Sequence, residues 1–259
     1  MSNRCGILLA GGNGTRLLPL TKSINKHLLP VYDKPMIFYP LSTLMMAGIR
    51  DIAIVTRSID VDHYKNLLGD GSAFGISLTF LVQDQANGIP EGYVLAKKFV
   101  GDRDIALILG DNILIGQGLG KTLETSAEKP GARIFAFPVN NPQDYGVVTL
   151  NPESGRILKL EEKPKNPQSN LAVPGVYFTD NRAIEIAETL TKSARGEFEI
   201  SDVLNWYLER DQLEVNTFRR GIGWMDAGSV QSLYEAGELV QVLQKRQGLR
   251  FACPEEIAW

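Results

Sequence analysis

Short apolar runs recur along the first half of the chain, with helix-like stretches between them. Cys5-Gly6-Ile7-Leu8-Leu9 reads as a buried strand, and Asp51-Ile52-Ala53-Ile54-Val55-Thr56, Ile76–Val82 and Ile105–Leu109 have the same character. Runs this short and this continuously apolar suit strands covered on both faces. The stretches between them carry helical spacing. Pro35 opens a helix with Ile37, Leu41, Leu44, Met45 and Gly48 on one face; a helical stretch surrounds Tyr64–Leu68, and another spans roughly Glu91–Val100. This alternation predicts βαβ units and a largely parallel sheet.

After about Gly131 the rhythm changes. Arg133–Val139, Gly146–Leu150, Ile157–Leu160 and Val176–Phe178 are strand-like with shorter links, so the sheet becomes mixed. Helices return at Asn181–Leu190 and at Ile200–Leu208, where Ile200, Val203, Leu204, Tyr207 and Leu208 share a face. Ser229 is placed to cap a final long helix carrying Leu233, Ala236, Val240 and Leu243 in line, with Gly248 beyond its end. There is no internal repeat and no Ser/Gly linker. The expected architecture is one α/β domain over residues 1–259 with a mixed-sheet insertion: a first part to about 130, a mixed part over about 131–228 and a helical segment over 229–259.

Composition narrows the function classes. The 259 residues are 44% hydrophobic and 22% charged, which excludes collagen-like and disordered chains. A net charge of −3 without any basic block gives no footing for a nucleic-acid polymer. Two cysteines far apart in sequence suit a reducing compartment, and two histidines cannot make a histidine-rich zinc site. The apolar run before Gly11-Gly12 is too short for a signal peptide, and the longest charge-free stretch, Pro35–Ile49, is too short to span a bilayer. A cytoplasmic protein with no membrane partner is expected.

The segment Leu9-Ala10-Gly11-Gly12-Asn13-Gly14-Thr15-Arg16-Leu17 follows the first strand directly. Its glycines let backbone N–H groups approach an anion, and Arg16 adds a bidentate phosphate partner, with Lys26 ten residues on. Two rival phosphate motifs fail on spacing. The dinucleotide fingerprint would need glycine at Leu17, and Gly116-Gln117-Gly118-Leu119-Gly120-Lys121-Thr122 is one residue short of a Walker A loop, so it reads as a helix start.

Gly110-Asp111-Asn112 ends the apolar run Ile105–Leu109, where a carboxylate at a parallel strand's C-terminal edge faces the ligand crevice. A turn or helix cap is the plainer role for such an aspartate. Asp226, in Gly223-Trp224-Met225-Asp226-Ala227-Gly228, sits in a similar run ended by glycine. Mg²⁺ is typically held by one or two carboxylates plus substrate phosphates, so the two aspartates make a candidate metal pair. Glu161-Glu162-Lys163-Pro164 and Ser193-Ala194-Arg195-Gly196-Glu197, taken alone, fit solvated charge clusters. His27 reads as a partly buried polar residue.

In this order the pieces resemble the sugar-nucleotidyltransferase family over nearly the whole chain. The glycine loop is joined by Asn25-Lys26-His27-Leu28-Leu29-Pro30, Tyr32-Asp33-Lys34-Pro35-Met36-Ile37, Gly69-Asp70-Gly71, Val82-Gln83 and Gly110-Asp111-Asn112. Tyr145-Gly146-Val147-Val148, Glu161-Glu162-Lys163-Pro164, Ser193–Glu197, Trp224–Gly228 and Cys253-Pro254-Glu255-Glu256-Ile257-Ala258 complete the set.

The resemblance implies a Rossmann-like core, with a nucleotide-binding part to about 130 and a sugar-binding part over about 131–228, and the reaction of dTTP, or UTP, with a hexose 1-phosphate, glucose 1-phosphate first, in the presence of Mg²⁺; a catalytically silent nucleotide-sugar-binding regulatory homologue is the more distant alternative. The resemblance also implies that Leu9, Gly11, Gly12, Gly14, Thr15 and Arg16 meet the triphosphate, with Lys26 beside it. Gln83 and Gly88 would read the pyrimidine, and Asp111 and Asp226 would hold the metal. Gly146, Glu162 and Val173 would line the sugar pocket, Lys163 and Arg195 would meet the sugar phosphate, and Asn112 and Trp224 would also touch substrate. Pro90, Glu91 and Pro174 depart from the family pattern and imply altered reading of the sugar. Longer members continue into further helices, so the end at Trp259 implies weak or absent control by a distant nucleotide-sugar site, with a homo-oligomer still expected.

Overall fold

The protein is described from a computed structural model covering residues 3–126, 131–218 and 220–258, the side chains at 125 and 126 excepted; Trp259 lies outside them. Among the described residues, ten strands form one mixed sheet. From one edge, its strands run Ser77–Val82, Asp51–Thr56, Arg4–Leu9, Asp104–Leu109, Val176–Thr179, Ala132–Pro138, Leu171–Ala172, Gly146–Leu150 and Ile157–Glu162, with Leu213–Thr217 also pairing with Ala132–Pro138. The first four are mutually parallel. From Val176–Thr179 onward the neighbours on this path pair antiparallel.

The period-two geometry of a strand explains how so apolar a sheet is covered. Leu8, Ile52, Ile54, Ala106 and Ile108 point to one face, into a core completed by the helices Phe38–Met46 and Val61–Leu68. Their neighbours Cys5, Ile7, Val55, Ile105 and Leu107 point to the other, where Glu91–Leu95, Lys97–Val100, Arg182–Thr189 and Ile200–Leu208 pack. A third cluster joins the long helix Val230–Gln247, through Ala236 and Val240, to Ile113 and Ile115. Ser229 caps that helix in a reciprocal box with Ser232, and Gly248 ends it in the left-handed conformation at φ 66°.

Several boundaries differ from the expected ones. Pro35 does not open a helix: Lys34–Pro35 pairs antiparallel with Pro30–Val31 around Tyr32, and the helix begins at Phe38. A missing N–H is tolerated at the edge of such a two-stranded ribbon as well as in a first helical turn. The helix expected over Glu91–Val100 is broken at Ala96 into two short ones. Asn112–Gly116 and Ile222–Asp226 form a separate antiparallel ribbon, so Gly116–Thr122 is the turn from a strand into the helix Leu119–Ser126. Leu213–Thr217 is a strand that alternation alone does not reveal.

The chain leaves Arg4–Leu9 toward Asp51–Thr56 and Ser77–Val82 on one side, then returns to Asp104–Leu109 on the other. The connections therefore diverge between the ends of Arg4–Leu9 and Asp104–Leu109, opening a crevice of the kind in which open α/β sheets bind ligands.

Candidate active site

The crevice is built tightly from backbone. Gly110 N–H donates to the Leu9 carbonyl at 2.8 Å, fastening the two central strand ends together. A Cβ at Gly110 would stand 2.7 Å from that oxygen and 2.6 Å from the His27 ring, so only glycine fits. Beneath the glycine loop, Asn25 is a buried hub: its Nδ2 donates to Ala10 O at 3.1 Å and to Asp60 Oδ2 at 2.8 Å. Its Oδ1 accepts from the Tyr64 hydroxyl and the His27 backbone N–H, and lies 2.8 Å from His27 Nδ1. Full burial, helped by Lys26, pushes the His27 imidazole down to about 3. His27 is thus a neutral wall of the crevice, buried more completely than its sequence context suggests.

Two adjoining cavities open over this floor. The first, about 310 Å³, is lined by Leu9, Gly11, Gly12, Lys26, Gln83, Gly88 and Gly110, among others. The second, about 180 Å³, is lined by Asn112, Tyr145, Gly146, Glu162, Lys163, Val173, Trp224 and Asp226, among others. Arg16, Ile89, Leu109 and Asp111 line both. The residues at the seam therefore include one guanidinium and one carboxylate.

At that seam Lys26 Nζ donates to Asp111 Oδ2 at 2.5 Å. Burial pushes the Asp111 carboxyl up, but the adjacent Lys26 charge, together with His27 and the hydrogen bonds from Lys26 and Asn112, outweighs it and leaves the group at about 2. Asp226 reaches the same place from the other ribbon strand: it sits opposite Asn112, and Ala227 N–H donates to Asp111 O at 2.9 Å. Burial, and then the charge of Asp111, raise the Asp226 carboxyl above its usual range. The Tyr145 hydroxyl donates to Asp226 Oδ1 at 3.2 Å. Arg16 packs over Gly228, where a Cβ would lie 3.2 Å from its Nη2.

Asn112 braces the second cavity. Its Oδ1 accepts from Gly175 N–H at 2.9 Å and from Trp224 Nε1 at 2.7 Å, while its Nδ2 donates to Asp111 at 3.1 Å. Asn112 and the Trp224 N–H are thereby committed to holding the wall. Lys163 has a left-handed backbone, φ 44°, with its N–H donating to Tyr145 O at 3.0 Å. A non-glycine residue in that region costs energy, which this site meets from its surroundings. Arg195 lines neither cavity: its Nη2 lies 3.4 Å from Glu162 Oε1 and 2.5 Å from Glu199 Oε2, at the rim.

Most expected site residues thus converge. Gly14 and Thr15 do not line either cavity; Gly14, at φ 61°, turns the chain so that Arg16 faces the seam. Glu91, expected to bear on the sugar, instead accepts hydrogen bonds from Gln83 and Asn87 on the first cavity's side. Sequence reasoning does not reach the Tyr145 side chain or the Asn25 hub, because their contacts cross 81 and 35 residues respectively.

A divalent cation fits the donor set. Asp111 and Asp226 offer carboxylate oxygens, and the charge of Asp111 weighs against ionisation of Asp226, a conflict that a cation relieves. Among the described residues no group of three or more His, Cys, Asp or Glu could hold a metal alone, so further ligands would come from water and substrate oxygens, the habit of Mg²⁺.

A family model described as nucleotidyl transferase matches residues 5–242. Glucose-1-phosphate thymidylyltransferases of Neisseria meningitidis and Mycobacterium tuberculosis are each 51% identical, over 98% of this chain and 88% of theirs. A Bacillus anthracis structure described as a putative glucose-1-phosphate thymidylyltransferase in complex with sucrose superposes with a TM-score of 0.85 at 38% identity, covering 98% of this chain and 99% of the other. A UDP-glucose pyrophosphorylase with UDP-glucose superposes with a TM-score of 0.81 at 26% identity, covering 95% of this chain and all of the other. The switch-point crevice, the paired cavities and the likeness along the whole chain lead to one conclusion: the chain belongs to the nucleotidyl transferase family.

Proposed function

We propose that this chain transfers a thymidylyl group from dTTP to glucose 1-phosphate, giving dTDP-glucose and pyrophosphate. The observation that carries the reading is the pair of cavities sharing Arg16 and Asp111, which suits two phosphorylated substrates meeting at one point. The identity of about half the residues to named glucose-1-phosphate thymidylyltransferases supports the choice of substrates.

In this reading the glycine loop, Arg16 and Lys26 bind the triphosphate, and Gln83 and Gly88 meet the pyrimidine. Gly146, Glu162, Val173 and Trp224 bound the sugar, while Lys163 neutralises its phosphate and Arg195 would reach that phosphate from the rim only by leaving its pairing with Glu199. A phosphate oxygen of the sugar attacks the α-phosphorus in line, and the bond from that phosphorus to the pyrophosphate oxygen breaks. The nucleophile is already an anion at neutral pH, so no side chain need remove a proton, and positioning with charge neutralisation supplies the catalysis. Arg16 and Lys26 stabilise the charge that develops on the departing pyrophosphate. Asp111 and Asp226 would hold Mg²⁺, which when bound screens the repulsion between the phosphate oxygens.

The same reading divides the chain into a nucleotide part to about residue 130, a sugar part over about 131–228 and a C-terminal helical segment. It places the protein in the cytoplasm, in keeping with the described residues, which hold no helix long and apolar enough to cross a membrane. A homo-oligomer is supported by Val230, Tyr234 and Val242, all at least half exposed on the long helix. The likeness to a UDP-glucose pyrophosphorylase favours UTP as the second nucleotide to test.

A matrix of dTTP, UTP and dCTP against glucose, galactose and mannose 1-phosphates, read as pyrophosphate release with Mg²⁺, tests the proposal. The highest kcat/KM is expected for dTTP with glucose 1-phosphate. Turnover that needs no sugar phosphate, or none with any pair, would overturn it.

A further inference from the structure

A directed chain of hydrogen bonds ends on the residue that faces the base. Lys192 Nζ donates to Asn87 Oδ1 at 2.6 Å, Asn87 Nδ2 donates to Glu91 Oε1 at 2.8 Å, and Gln83 Nε2 donates to Glu91 Oε2 at 2.5 Å. Neither end of this chain can be reversed. An ammonium has only donors, so the oxygen of Asn87 must face Lys192 and its nitrogen must face Glu91. A carboxylate only accepts, so Gln83 must turn its nitrogen to Glu91. The Gln83 oxygen is thereby sent the other way, to within 3.0 Å of where a Cβ on Gly11 would lie. The loop is anchored besides: Phe198 N–H donates to Asn87 O at 2.7 Å, and a Cβ on Gly88 would lie 2.2 Å from Phe198 O.

We propose that Glu91 is a positioning residue that locks the Gln83 amide in one orientation, and that this lock sets which pyrimidine the site accepts. The inference rests on the proposed role of Gln83 in meeting the base. With Nε2 held by Glu91, Gln83 presents one carbonyl oxygen and one remaining N–H to the cavity. That pair matches the N3–H donor and O4 acceptor of thymine or uracil. Cytosine offers the reverse, an acceptor at N3 and a donor at its amino group. To meet it Gln83 would have to flip, turning its oxygen onto the Glu91 carboxylate. Rejection therefore comes from a repulsive contact that only a wrong base creates.

The test is Glu91→Gln, which can both donate and accept, so that the Gln83 amide is free to turn. We measure kcat/KM with dTTP and with dCTP, each with glucose 1-phosphate, in the wild type and the variant. The expected result is a fall of about tenfold or more in the dTTP-to-dCTP ratio, with the dCTP value rising while the dTTP value falls. An unchanged ratio, or a parallel loss with both nucleotides, would overturn the inference, because a merely structural role lowers both together. If Glu91→Gln does not fold, Glu91→Ala, which removes the carboxylate that holds the Gln83 nitrogen, is judged by the direction of the same ratio. A wild type inactive with dTTP would instead contradict the functional reading itself, so the two failures are told apart.

Discussion

Lys26 and Asp111, 85 residues apart in sequence, meet at 2.5 Å where the two cavities join. The side chains are 13% and 14% exposed, so each depends on the other for compensation of its charge. A pair drawn out of water in this way is a poor source of stability for its cost, and its presence at a ligand crevice points to chemistry.

Replacing Asp111 with Asn keeps the shape and removes the charge. In the proposed mechanism this should lower kcat by about 10²-fold or more, because charge stabilisation at the transferring phosphate is lost. Circular dichroism should show a retained fold. Near-normal turnover by the folded variant would remove Asp111 from the mechanism.

His27 gives a pH signature. Its folded value, about 3, lies below the ordinary 6.5 of a histidine because burial disfavours the charged imidazole. The unfolded chain therefore takes up a proton that the folded one refuses. Stability from this group is complete above about pH 6.5 and is lost progressively as the pH falls toward 3, with a deficit of about 2 kcal/mol already at pH 5. Urea midpoints between pH 7 and pH 5 should fall less in His27→Gln than in the wild type. Equal falls would show that His27 protonates in the folded state.

Gly110→Ala tests the closeness of the two central strands. The new methyl would meet the Leu9 carbonyl and the His27 ring at under 3 Å, and neither the strand nor the packed ring can move away cheaply. A loss of about 2 kcal/mol or more in unfolding free energy is expected, with activity falling as the crevice opens. A wild-type melting temperature would contradict this packing.

The thymine methyl should matter little. Burying one such group is worth about 0.8 kcal/mol, so dTTP should be preferred over dUTP by roughly fourfold in kcat/KM. Steady-state kinetics with both nucleotides checks it, and a preference of about 10²-fold would require a contact to the base beyond the Gln83 amide.

The parts of the site carried by local sequence are legible from their own residues. Leu9–Arg16 combines an apolar run, three glycines and an arginine, and Gly110-Asp111 ends a strand; each needs only its neighbours to be read. What depends on distant pairing is hidden. The ribbon of Asn112–Gly116 and Ile222–Asp226 joins segments about a hundred residues apart, so Asp226 can be suspected from sequence but its strand cannot be aligned. Glu91 shows the limit differently: its residue type promises an acceptor, but only the fold reveals that Gln83 and Asn87 are what it accepts from. Pro35 misleads because proline suits a first helical turn and a ribbon edge equally well, and pairing with Pro30–Val31 decides between them.

The central claim is that a sugar phosphate oxygen attacks the α-phosphorus of dTTP at the seam between the cavities. Glucose 1-phosphate labelled with ¹⁸O throughout its phosphate group tests this directly, with the products separated and weighed by mass spectrometry. The account predicts that all of the label stays in dTDP-glucose and that the released pyrophosphate carries none. Label in the pyrophosphate, or an unlabelled nucleotide sugar, would contradict it.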